Sequence, residues 1–172
     1  DHRRQVKSHT PLDGLPYWPD LRYITVYRHP IDAFFSLRKH MANMSIEKVS
    51  GPPMRTPRED FAQFLEADYD HLSLSSVVSH YLSSLEKEPR GNILRLHYRD
   101  MQRDLAGAFA QIADHVGITH PPDLIAEMVV AATFENMKAN ADRFAPSAGQ
   151  GVWRDDAGFF DSATSNKWEG QL

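Results

Sequence analysis

The chain has 172 residues, 41% hydrophobic and 24% charged, which supports one domain with a substantial core. A formal net charge of −4 gives no reason to expect a nucleic-acid partner, since such domains are usually basic, and the absence of cysteine excludes disulfides and thiolate zinc sites. No apolar run reaches membrane-span length, no signal peptide is visible in these residues, and a cysteine-free composition suits a reducing compartment, so a cytoplasmic protein is expected.

In chain order, a short strand is expected at about Gln5-Val6-Lys7, then a turn rich in Pro and Gly. Residues 21–28 read as a second strand. Residues 31–43 read as an amphipathic helix with Phe34, Phe35, Leu37 and Met41 facing inward. Met44 to Pro57, with Gly51-Pro52-Pro53 at its centre, reads as the clearest loop. Pro57 and Glu59-Asp60 open a helix of about ten residues, by the usual helix-start chemistry. Leu74 to Glu88 is another helix, ended by Pro89-Arg90-Gly91. Asn92 to Tyr98 is the third strand, followed by one helix from Asp100 to Val116 that stops at Gly117. Pro121-Pro122-Asp123 starts a helix to about Ala132, and Glu135 and Lys138 read as solvated helix faces. From Asp142 onward the pattern reads as loop. Strands separated by long helical segments predict an α/β fold with an open parallel sheet flanked by helices.

The most informative stretch is Arg28-His29-Pro30-Ile31-Asp32-Ala33-Phe34-Phe35-Ser36. A strand delivers a guanidinium at its carboxyl end, a proline interrupts the ladder, and a helix begins whose second turn carries a hydroxyl. Ligands of open parallel sheets bind beyond the carboxyl ends of the strands, and an Arg near a helix N-terminus suits a phosphate. Asp32 is expected to cap or brace the helix start. Lys7 and His9 share one face if their segment is extended. The nine histidines show no ligand spacing, so no metal is expected.

Four segments together resemble the sulfotransferases that use 3′-phosphoadenosine 5′-phosphosulfate (PAPS). They are Lys7-x-His9 with its proline turn, Arg28-x-Pro30-x-Asp32-x-x-x-Ser36, the strand ending in Tyr98-Arg99-Asp100-Met101, and Thr133-Phe134-Glu135-Asn136-Met137-Lys138. A fifth, Phe159-Phe160 up to Trp168, is similar to the family's closing loop, Phe-x-Arg-Lys-Gly up to Trp. The resemblance implies a single sulfotransferase domain over residues 1–172 with a P-loop-NTPase-like fold, incomplete at its N-terminus. It implies sulfuryl transfer from PAPS, without a metal, to a hydroxyl or amine of a small-molecule acceptor. His9 would be the general base and Lys7 would stabilise charge on the moving group. Arg28 and Ser36 would hold the 3′-phosphate; Tyr98, Thr133, Phe134 and Met137 would enclose the adenine. A homodimer is also allowed, its contact segment in the family lying beyond Leu172.

Two departures stand out. The family's glycine-rich loop for the 5′-phosphosulfate is not among these residues, so the chain alone is expected to have little activity. The strand that carries this loop is expected to lie inside the sheet, leaving its neighbours with unpaired edges. Asp161-Ser162-Ala163 stands where the family has Arg-Lys-Gly, and a carboxylate there would repel a phosphate. Two alternatives stay open: a nucleotide or nucleoside kinase-like phosphotransferase, and a degenerate, non-catalytic nucleotide-binding module.

Overall fold

The structure, a computed structural model, describes residues 4–45, 55–68, 73–85 and 91–172. Two strands, β1 (Tyr23–Tyr27) and β2 (Ile93–His97), pair in parallel with Tyr23 opposite Ile93 and Tyr27 opposite His97. Their aromatic and β-branched residues suit a half-buried pleated surface. Asn92 ties down the entrance to both strands: its side-chain amide donates to the Leu21 carbonyl at 2.8 Å and accepts from the Tyr17 hydroxyl at 2.7 Å. The two strands touch directly, so the expected gap does not lie between them. Each has one edge without a partner strand among the described residues, and on one face of β1 Ile24 and Val26 are exposed.

Helix α1 (Pro30–Asn43) starts immediately beyond β1, with Pro30 in its first turn, where a missing N–H costs nothing. Its Phe34 and Phe35 are buried with Phe64 of α2 (Pro57–Glu66), and Trp168 from the far end of the chain packs against them. Burial of each such ring is worth about 1.5–3 kcal/mol, so this aromatic cluster anchors both the start of α1 and the closing loop. A capping box between Thr56 and Glu59 begins α2, as the helix-start chemistry predicts. The next helix, α3 (Leu74–Leu85), places Tyr81 edge-on to Tyr27 of β1 with ring centres 4.8 Å apart.

Some expectations change. Residues 4–9 form no strand: Val6 is 89% exposed, and no described strand lies beside the segment to complete a ladder. The single helix expected from Asp100 to Val116 is two, α4 (Tyr98–Arg103) and α5 (Leu105–Val116). Asp104 leaves helical geometry between them and its carboxylate accepts from the Gly107 N–H at 2.7 Å, so a capping side chain competes with helix continuation. Gly117 ends α5 with φ of 63°, a left-handed cap that glycine adopts without strain. Helices α6 (Pro122–Ala131), α7 (Phe134–Ala139) and α8 (Ala141–Phe144) follow, so helix persists two residues past Asp142, and the tail beyond is loop apart from a 3-10 turn at Ala157–Phe159. Most of the loop expected from Met44 to Pro57, and the end of the helix expected to reach Glu88, lie outside the described residues.

Candidate active site

Register alone brings Arg28 and Tyr98 together. Tyr27 and His97 are partners, so the residues that follow them leave the two strands side by side. The Arg28 guanidinium lies over the Tyr98 ring, 4.2 Å from its centre. A cation over an aromatic face in this way is a contact Arg makes more often than Lys. One terminal nitrogen of Arg28 donates to the Ser36 hydroxyl at 2.8 Å, and the other to the Thr164 carbonyl at 2.6 Å. Its Nε is buried and has no acceptor among the described residues. An unsatisfied buried donor on a charged group is costly and points to an acceptor that arrives from outside the chain.

The loop 161–168 closes over this guanidinium and is held by side chains from three helices. Asp32, only 2% exposed, accepts from the backbone N–H groups of Asn166 (3.1 Å) and Lys167 (2.8 Å). It therefore braces a loop more than 130 residues away in sequence, rather than its own helix start. Gln102 of α4 donates to the Ala163 carbonyl and accepts from the Ser165 hydroxyl. Lys138 of α7 donates to the Asp161 carbonyl at 3.0 Å. Ala163 and Asn166 both adopt positive φ, at 48° and 61°, which turns the loop sharply.

Asp161 does not stand as a bare negative charge. Its carboxylate binds Lys39 of α1 at 3.0 Å and Lys167 of its own loop. Burial pushes its pKa up, but the hydrogen bonds from Lys167 and Lys39 outweigh that and hold it below the usual carboxylate range. The anticipated repulsion of a phosphate is therefore largely cancelled by neighbouring lysines.

The remaining residues singled out in the sequence are more dispersed. Thr133 caps α7, accepting from the Asn136 N–H and donating to the Val130 carbonyl at 2.8 Å. Phe134 and Met137 are half-buried on α7, and Lys138 Nζ lies 5.5 Å from the Phe134 ring centre. The contact of Lys138 with Asp161 links this helix to the closing loop. Lys7 and His9 are exposed on the irregular segment 4–9. Lys7 makes itself felt at His40, whose pKa is lowered first by burial and then by the Lys7 charge. His40 lies one turn beyond Ser36 on the same face of α1, packed against Trp153 and Phe159 at 4.7 and 5.4 Å. Sequence reading missed Thr164, Gln102 and the lysines around Asp161. Of these, Lys39 carried a signal in its spacing of three residues from Ser36, and Lys138, read as a solvated helix face, ends the segment 133–138.

A family model for the sulfotransferase domain matches residues 1–172. The chain belongs to the sulfotransferase family. A glycolipid sulfotransferase of Mycobacterium bovis is 30% identical, the match covering 98% of this chain and 61% of the relative. Sulfotransferase 2A6 of Mus musculus is 29% identical over 80% of this chain and 47% of its own length. Among solved structures, mouse sulfotransferase SULT7A1 in complex with PAP superposes with a TM-score of 0.76 at 22% identity, over 99% of this chain and 60% of that one. Retinol dehydratase with androsterone and the inactive cofactor PAP gives a TM-score of 0.77 at 22% identity, over 95% and 47%. The P-loop-like α/β sulfotransferase fold follows from these likenesses. The chain spans about three fifths of the length of the first of these curated relatives.

Proposed function

We propose that the protein is a PAPS-dependent sulfotransferase acting on a hydroxyl or amine of a small-molecule acceptor. The observation that carries this reading is the Arg28 guanidinium. It is stacked on Tyr98, held by Ser36 and the Thr164 carbonyl, and left with one buried donor unanswered. A nucleotide phosphate supplies the missing acceptor, and Arg28 with Ser36 grips it through charge-assisted hydrogen bonds. The half-buried Phe134 and Met137 offer apolar surface to an adenine, with Thr133 fixing the start of their helix and Tyr98 set between base and guanidinium. Membership of the family and the kinship to glycolipid sulfotransferases support the same activity and favour a hydroxyl acceptor on a sugar or lipid.

The bound nucleotide supplies an activated sulfuryl group: an acceptor O–S or N–S bond forms as the S–O bond to the 5′-phosphate breaks. His9 takes the acceptor's proton, a contribution of about 10²–10⁴-fold. Lys7 offsets negative charge on the transferring oxygens, an electrostatic effect that grows as water is excluded. Arg28, Ser36 and the closing loop position the nucleotide and exclude water around the leaving group.

Transfer of labelled sulfate from PAPS to a glycolipid and to a phenol, measured with the full-length protein, tests the reading. His9→Ala should lower turnover by at least about a hundredfold while PAP still binds. Turnover unchanged in that variant would remove His9 from the chemistry.

A further inference from the structure

We infer that Lys39 supplies the second cation for the nucleotide's 3′-phosphate in this chain, replacing the Arg-Lys pair that the closing loop lacks. This rests on the sulfotransferase reading and deepens it.

Three lysines from three places meet at Asp161, but they are not equivalent. The Lys167 side chain is only 5% exposed and is bound to the Asp161 carboxylate in the closed loop. Lys138 reaches the Asp161 backbone carbonyl and leaves the carboxylate alone. The Lys39 side chain is 53% exposed and lies on the opposite carboxylate oxygen from Lys167. Were Lys39 to leave, Asp161 would keep a buried counter-ion, so the departure would strand no charge. An exposed ion pair contributes little and gives way readily to a better partner. A phosphate dianion is such a partner.

Placement completes the case. Lys39 follows Ser36 by three residues on α1, so the two side chains rise from neighbouring points on one helix face. Between them and Arg28 runs a continuous polar path. Arg28 donates to the Thr164 carbonyl, the Thr164 hydroxyl meets the Ser162 hydroxyl at 2.9 Å, and Ser162 donates to Asp161 at 3.2 Å. An anion on Arg28 and Ser36 therefore sits within one helical turn of a movable ammonium. Asp161 holds that ammonium ready until the phosphate arrives.

The test compares PAP with adenosine 5′-monophosphate, which lacks only the 3′-phosphate, by titration calorimetry on the full-length protein. Lys39→Ala should reduce PAP affinity about tenfold to a hundredfold and leave the monophosphate unchanged; Lys39→Arg should keep most of the PAP preference. Alanine is well tolerated at an exposed helical position, so the variant should fold. A PAP preference untouched by Lys39→Ala, or an equal loss for both nucleotides, overturns the inference while leaving the sulfotransferase reading standing. A wild-type protein that does not prefer PAP defeats both.

Discussion

Replacing Asp32 by alanine isolates what holds the closing loop. Asp32 is almost completely buried, and its two oxygens take the backbone N–H groups of Asn166 and Lys167 at 3.1 and 2.8 Å. A hydrogen bond to a charged group is worth about 1.5–3 kcal/mol, and leaving a buried donor unanswered carries its own penalty. Lys167 is buried and Asn166 exposed, so water can replace only one of the two acceptors lost. Asp32→Ala should therefore cost about 3 kcal/mol. For a domain of this size that is a fall in Tm of about 6–12 °C, read by thermal denaturation. If the loop opens by itself before the core unfolds, the cost appears instead as faster hydrogen exchange at the amides of Asn166 and Lys167. Asp32→Asn keeps an acceptor without its charge and should lose about half as much. A variant with both Tm and these amides unchanged would refute the claim that this carboxylate secures the loop.

Burial and the Lys7 charge disfavour protonated His40 in the folded state, so its contribution to stability is present above the ordinary histidine pKa and is lost as pH falls below it. Thermal scans from pH 8 to 5 should show that decline, and His40→Phe should remove it; Lys7→Ala should move the His40 titration upward in NMR, and no movement would separate the two residues. Asp104→Ala removes the cap that starts α5 and should cost about 1 kcal/mol in denaturant unfolding, without changing nucleotide affinity.

Much of the scaffold was legible because its signals are local. The Tyr-Ile-Thr-Val-Tyr run, Pro30 and the Pro57 start report their own backbone preferences, and the elements formed where those signals fall. The juxtaposition of Arg28 and Ser36 was legible for the same reason, since the two lie eight residues apart across one strand-to-helix junction. What failed depends on partners. Gln5-Val6-Lys7 has strand-like residues, but a strand exists only with a neighbour to pair with. The Asp100–Val116 pattern is helical throughout, and only the competition of one carboxylate for the Gly107 N–H breaks it. The residue type of Asp161 did not reveal its ion pairs. Its carboxylate is held by Lys167 in its own loop and by Lys39, 122 residues away, and the second of these is a pairing that no local pattern encodes.

The most direct measurement is the heat of PAP binding to the full-length protein, wild type against Arg28→Ala. The account predicts binding that is lost in the variant, with its thermal stability falling far less than that of Asp32→Ala. Unchanged affinity in Arg28→Ala would place the nucleotide elsewhere and contradict the site described for it.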